Sequence, residues 1–211
     1  MSGGRDGPQP GSATGRRPVT SRAQLEHIGL RLFTDDGFEA TTVDRIAGQA
    51  GISRRTFFRY FDSKNDLPWG DFDVRLGRLG ERLRSTPAGR SVGDAVAESV
   101  IESNAVLPGD DLWHRQRMSL LLHVPALQAH GTLRYRDWRQ VVAGFVAERR
   151  GELVDDLVPR TAGYLALGAA LAAYEQWLTD ESLGLDELMR QAFVLFRRSI
   201  PDVSGPGGDA R

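Results

Sequence analysis

The nine residues SRRTFFRYF, from Ser53 to Phe61, set three arginines among three phenylalanines and a tyrosine. On a helix capped by Ser53, Phe57 and Phe61 lie four residues apart on one face, and Arg54, Arg55 and Arg59 can occupy another. Such a helix is apolar behind and cationic in front. Arginine suits a front of this kind because its planar fork can donate two hydrogen bonds to O6 and N7 of guanine. Each such pair is worth about 1–3 kcal/mol of base discrimination. Thr56, Tyr60 and Lys64 stand where they can contact phosphate, as does Thr42 at the start of the preceding helix. The candidate DNA-contacting set is therefore Thr42, Ser53, Arg54, Arg55, Thr56, Arg59, Tyr60 and Lys64.

The charge distribution points the same way. The net charge is −1, yet residues 1–67 carry ten basic side chains against eight acidic ones, and the remainder carries 17 against 20. Between positions 53 and 64 four cations face Asp62 alone. Of the 27 basic residues only Lys64 is a lysine, which singles it out as a candidate phosphate clamp.

The elements that must position this stretch can be read from caps and apolar spacing. Leu25, Ile28, Leu32 and Phe33 form one helical face after Ser21, and DDGF closes that helix. Thr41 or Thr42 can cap a short second helix, with Asp44 three residues after Thr41 as in a capping box. Ala50-Gly51-Ile52 then makes a tight turn and Ser53 opens a third helix. Three short helices, the last two joined by a glycine-containing turn, are a helix-turn-helix layout.

Helices continue beyond it. Ser63 with Asp66 opens one running to about Leu83, which Pro68 should kink or delay. Ser91 with Asp94 opens the next, and further helices are expected at 109–123, 125–150, 159–179 and 185–199. The fold expected is all-α with about nine helices: a disordered arm at 1–18, a helix-turn-helix domain at 19–62, an effector-binding and dimerisation domain at 63–200, and a disordered tail at 201–211.

Composition excludes several classes. No apolar run approaches the roughly 18 residues of a membrane span, so no membrane partner is expected. The start has no signal-peptide core, and cysteine is absent, so no disulfide, thiolate metal site or thiol nucleophile exists. A cytoplasmic protein is expected. The four histidines lack a metal-ligand spacing, and no P-loop, GxGxxG before a helix, or GxSxG occurs, so neither an enzyme nor a cofactor is expected. A helical protein-interaction module without affinity for duplex DNA remains the alternative.

The segment GFEATTVDRIAGQAGISRRTFFRYFDSKNDL closely resembles the DNA-binding module of the TetR family of transcriptional regulators. The likeness rests on a threonine-containing second helix, an Ala-Gly-Ile-Ser turn, and Tyr-Phe-x-Ser-Lys before the fourth helix, and it covers residues 21–67. It implies phosphate contacts from Tyr60 and Lys64 and base reading by Arg54, Arg55 and Arg59. Phe58 departs from the family, which often has a tyrosine or polar residue there, so a phosphate bond from that position is lost. FRYFDSKNDLPWGDFD, DLWHRQRM, VPALQAHGTLRYRDW and LGAALAAYEQWL are similar to segments of one subgroup, the mycofactocin system regulators. That likeness implies control of genes for a peptide-derived redox cofactor.

The same resemblance implies a homodimer through about 159–199, reading a palindromic operator, and a small amphipathic or hydrophobic effector, such as an acyl-CoA. Helix 159–179 is rich in small residues that admit another helix closely, and Leu188, Ala192, Leu195 and Phe196 follow at helical spacing; both can equally be core of one chain. The aromatic-rich region 63–150 supplies the candidate effector set Trp69, Phe72, Trp113, His114, Arg117, Met118, His123, Tyr135 and Trp138. Arg115, Arg134 and Arg136 join Arg117 and His114 as cations for an anionic head group.

Overall fold

The computed structural model describes residues 20–106 and 109–200, so the expected arm at 1–18 and tail at 201–211 lie outside the described residues. The fold is all-α, with nine α-helices and one 3-10 helix among those residues. They are α1 (Arg22–Asp36), α2 (Val43–Gln49), α3 (Arg54–Phe57), the 3-10 helix Lys64–Trp69, α4 (Phe72–Arg84), α5 (Val92–Ser103), α6 (Asp111–His123), α7 (Pro125–Arg150), α8 (Leu157–Thr179) and α9 (Leu185–Ser199).

Local chemistry sets most of these boundaries. The hydroxyls of Ser21, Thr42, Ser53 and Ser91 accept hydrogen bonds from the backbone N–H groups of Gln24, Arg45, Thr56 and Asp94, satisfying first-turn donors that would otherwise be orphaned. The cap of α2 is therefore Thr42. Thr41 has the opposite role: it is buried, and its hydroxyl donates to the carbonyls of Leu32 and Gly37, tying the end of α1 to the following turn.

The helix expected from Ser63 to Leu83 is two elements. Ser63 and Asp66 do form a capping box, but it opens the 3-10 helix that contains Pro68. Gly70 then takes φ 53°, ψ −134° and breaks the chain direction before α4. A side chain at Gly70 would be strained and would stand 2.8 Å from the Glu26 carboxylate.

Two cores result. The smaller joins Leu25, Leu30, Leu32 and Phe33 of α1 to Ile46 and Ala47 of α2 and to Phe57 and Phe61, and it takes in Leu127 from α7. The larger runs through α4, α5, α7, α8 and α9, with Trp177 and Phe193 deep in it. Small residues of α8 serve this second core: Ala162, Gly163, Ala166, Ala170 and Ala173 are buried, and a Cβ at Gly163 would lie 2.8 Å from the carbonyl oxygen of Arg139. Leu188 and Phe196 of α9 face inward as well. Leu157, Leu165, Gly168 and Ala172 of α8, and Val194 and Leu195 of α9, are exposed. Part of the small-residue helix is thus core of this chain, and a separate apolar stripe is left outside. No helix among the described residues is long and apolar enough to cross a membrane.

Candidate functional site

The α3 segment divides as its sequence implies. Phe57 and Phe61 are buried, and the turn continues past α3 through hydrogen bonds from the Tyr60 and Phe61 N–H groups to the Phe57 carbonyl. Arg54, Arg55 and Arg59 are exposed. Arg54 is held across the motif by Asp44 of α2 at 2.9 Å. Arg55 and Arg59 make no hydrogen bond or ion pair among the described residues, so both forks are free at the surface. Thr42 is exposed, while the Ser53 and Thr56 hydroxyls pair with each other at 2.9 Å, leaving one proton of the two for an outside acceptor. Phe58 is 43% exposed beside this surface.

Two of the candidates have internal work instead. The Tyr60 hydroxyl donates to the Thr20 carbonyl at 2.7 Å, which uses its one proton. Lys64 reaches back over the Phe38 ring, and its Nζ donates to the carbonyls of Phe38 (2.7 Å), Thr41 (3.0 Å) and Glu39 (3.4 Å). Three donors meet three acceptors, so Lys64 clamps the α1–α2 connection and has no proton left for phosphate. We expect Lys64→Ala to cost about 1–2 kcal/mol, at the lower end for hydrogen bonds from a charged group because the site is partly exposed. The melting temperature should fall by about 2–8 °C, with base preference and the slope of DNA affinity against salt unchanged. A salt slope reduced by about one, at unchanged melting temperature, would return Lys64 to phosphate binding.

The second site is a cavity of about 360 Å³ lined by α4, α6, α7, α8 and the end of α5. Eight of the nine candidates line it: Trp69, Phe72, Trp113, His114, Arg117, Met118, Tyr135 and Trp138. His123 does not. It is exposed and bonds only within α6, because nine residues at about 100° each carry it to the face opposite His114. Of the proposed cations, Arg117 alone reaches the cavity with His114. Arg115 donates to carbonyls at the end of α8, Trp177 among them, Arg134 pairs with Asp66, and Arg136 is exposed. The residues missed are Arg75, Asn104 and Tyr174, with the apolar wall of Leu76, Leu79, Leu167 and Leu171. Tyr174 was legible as the single tyrosine among the inward-facing residues of α8.

The polar groups of the cavity form a determinate set. Asn104 Nδ2 donates to the Val100 carbonyl, which turns Oδ1 toward Tyr174 at 2.9 Å. The phenolic proton goes to that oxygen, so His114 Nε2, 3.0 Å from the hydroxyl, must be the protonated nitrogen. Burial, reinforced by the charges of Arg117 and Arg75, lowers the His114 pKa to about 4, and the ring is neutral at pH 7. Burial raises the pKa of Tyr174, which stays protonated. The charged groups of the wall are Arg75, Arg117 and Asp110: Arg75 donates to the Trp69 carbonyl at 2.7 Å, and Arg117 Nε and Trp69 Nε1 are buried donors without a partner among the described residues. An apolar chamber whose two guanidinium groups outnumber the one carboxylate, and which has unpaired donors, suits an amphipathic anion.

The cavity wall is also the joint to the DNA module. Trp113 stacks on His27 of α1 at 4.5 Å between ring centres, and Arg117 faces Glu26 of α1 at 3.6 Å. Arg22, at the start of α1, donates to the carbonyls of Tyr60 (2.6 Å) and Gly70 (3.3 Å). Asp66, on the same 3-10 helix as the wall residue Trp69, accepts from His130 (2.8 Å) and Arg134 (2.7 Å) of α7. Trp69 itself packs so closely on α7 that a Cβ at Gly131 would meet its ring at 2.6 Å.

Comparison with known proteins gives this arrangement a family. Residues 28–67 match the model for bacterial regulatory proteins of the tetR family, and residues 90–201 match that of the MftR C-terminal domain. A Mycobacterium tuberculosis protein is 40% identical over 94% of this chain and 96% of its own, and its name, MftR, assigns it to transcriptional regulation of mycofactocin biosynthesis. The chain belongs to the TetR family. Within it, the MftR C-terminal domain places the chain among the mycofactocin system regulators. The fold is shared by Thermus thermophilus FadR, a TetR-family repressor in complex with lauroyl-CoA (TM-score 0.57, 21% identity, 90% of this chain and 100% of the other). It is shared too by Bacillus subtilis FadR in complex with stearoyl-CoA (TM-score 0.60, 18% identity, 86% and 100%). The TetR-matched span contains the arginine face, and the MftR-matched span contains the cavity residues from Ser103 to Tyr174. Trp69, Phe72 and Arg75 lie in the connection between the two.

Proposed function

We propose that this TetR-family regulator binds a palindromic operator as a homodimer, reads it with Arg55 and Arg59, and releases it when an amphipathic anion fills the cavity. The observation that carries this reading is the double duty of Trp69, Trp113 and Arg117, which line the cavity and hold the DNA module or its joint. A ligand can shift operator affinity only by binding the two conformations unequally, and a wall shared with the joint supplies such a difference. The solvent-facing stripe of Leu157, Leu165, Gly168 and Ala172, continued by Val194 and Leu195, supports pairing of α8 and α9 with a second copy.

The likeness to MftR supports genes of mycofactocin biosynthesis as the target, and the fold shared with the Thermus thermophilus repressor FadR supports repression as the mode of control. The acyl-CoA complexes of the FadR proteins and the cationic, aromatic cavity support an acyl-CoA as effector. The test is a gel shift with the purified protein on the promoter upstream of its own gene and its neighbours, with and without dodecanoyl-CoA. A sequence-preferring shift that the acyl-CoA reverses is expected. No preference over a scrambled duplex at moderate salt would remove the regulator reading, and a shift indifferent to the acyl-CoA would remove that effector.

A further inference from the structure

The Glu26–Arg117 contact between the DNA module and the cavity is incomplete. Arg117 Nη2 stands 3.6 Å from Glu26 Oε2, an ion pair without a hydrogen bond. Glu26 Oε1 and Arg117 Nε are both buried with no hydrogen-bond partner among the described residues, and the two side chains are only 10% and 12% exposed. Two charges removed from water normally recover that cost through close, bidentate hydrogen bonds. Here the guanidinium keeps an unpaired donor next to an apolar cavity large enough for a ligand. An oxygen anion arriving there can make the close bonds that Glu26 does not.

We propose that Glu26 reports the occupancy of the cavity: the anionic group of a bound ligand draws Arg117 away from it and so frees α1, and the DNA module built on α1, from α6. The inference rests on the reading of the cavity as an effector site. It assigns to one pair the step between ligand and DNA. Glu26 is a positioning residue, since it touches neither the ligand nor the operator.

The groups around Glu26 make the exchange consequential. From its own helix Arg22 lies at 3.4 Å; Asp71 and Arg75 act on it from the segment after Gly70; Arg117 acts from α6. Burial holds the Glu26 carboxyl above its ordinary range, and Arg117 is the largest influence in the other direction. Withdrawing Arg117 therefore leaves a buried carboxylate with Arg22 as its one ion-pair partner, and Glu26 takes up a proton from solvent. Ligand binding then carries proton uptake, and the neutral carboxyl no longer holds α1 to α6.

The experiment uses the full chain with dodecanoate, dodecyl phosphate and dodecanol as probes, the first two distinguishing a carboxylate from a phosphate source of the shared oxygen anion. Calorimetry in buffers of different ionisation enthalpy reads proton uptake, and anisotropy reads operator affinity. For the wild type, at least one anion is expected to bind more tightly than dodecanol, to take up protons, and to weaken operator binding by about 5- to 150-fold. Glu26→Gln keeps the shape and removes the charge. It should bind the anion more tightly, bind it without proton uptake, and lose most of the ligand's effect on the operator. Arg117→Gln should erase the preference for anion over alcohol. If Glu26→Gln retains the wild-type proton uptake and operator release, the assignment to Glu26 is wrong while the cavity reading stands. If neither anion binds the wild type, both fall.

Discussion

Replacing Arg55 and Arg59 together by alanine is expected to remove base preference while leaving the fold intact. Both side chains are exposed and neither holds any other part of the described structure, so their loss should move the melting temperature by no more than a surface substitution does. On DNA the effect is large because each fork that pairs with guanine contributes about 1–3 kcal/mol. Two independent forks sum to about 2–6 kcal/mol per half-site, so the ratio of operator to scrambled-duplex affinity should fall by at least roughly 30- to 20,000-fold, and by more where both half-sites are read. Anisotropy titrations on both duplexes at one salt concentration measure that ratio. Arg54→Ala should cost less, because its guanidinium is already engaged by Asp44 at 2.9 Å and must be drawn away to reach a base. A double variant that keeps the wild-type ratio would move the reading function off this face.

The comparison with Lys64 shows why that face was legible and its neighbour was not. Arg55 and Arg59 are placed by a cap at Ser53 and by two phenylalanines four residues apart, all within nine residues of sequence. Lys64 has partners 23 to 26 residues away, at carbonyls of the α1–α2 connection, and no local pattern names a carbonyl as an acceptor. Tyr60 is bound in the same way, its hydroxyl partner being the Thr20 carbonyl 40 residues earlier.

The cavity divides in a similar way. Its aromatic wall followed from composition, and the exclusion of His123 follows from counting 100° per residue from His114. Arg75 and Glu26 had no such signal. Arg75 reads as one more cation on an amphipathic helix, and Glu26, four residues after Arg22, reads as half of an ordinary surface pair. The apposition of α1 and α6 buries that carboxylate, and it is a tertiary fact. Ser63 and Asp66 form the capping box that their spacing predicts, yet the element they open ends at Gly70, where a positive φ sits against the Glu26 carboxylate.

Asp66→Ala should cause the largest loss of stability of any single polar substitution at the joint. The carboxylate has four tasks: it accepts from the Ser63 N–H and hydroxyl, both at 2.9 Å, and from His130 and Arg134 of α7 at 2.8 and 2.7 Å. Truncation leaves a guanidinium facing a wall it had neutralised, for which about 3–5 kcal/mol is typical in a fully buried pair. His130 and Arg134 are about a quarter exposed, so the lower end, about 3 kcal/mol, applies. The melting temperature should fall by about 6–12 °C. Asp66→Asn separates the two parts of this effect, since an amide oxygen can still cap Ser63 but offers α7 no charge. Its loss should be near 2 kcal/mol, the range for one charge-assisted bond.

The acid response gives an independent check on the same residue. Burial acts to raise the Asp66 pKa, but the hydrogen bonds from His130 and Ser63 outweigh it and hold the carboxyl below its ordinary range. A carboxylate whose folded value is depressed stabilises the fold fully above its unfolded pKa, about 3.9, and loses that contribution as pH falls through the lower folded value. Urea unfolding at pH 7 and at pH 3 should therefore show a smaller drop for Asp66→Asn than for the wild type, because the variant has no such proton to take up. Equal drops would mean that the joint draws no stability from the Asp66 charge. The contact to α7 would then be geometric, and the DNA module would be held to the cavity wall by Trp69, Leu127, the stacked His27 and Trp113, and the Glu26–Arg117 pair.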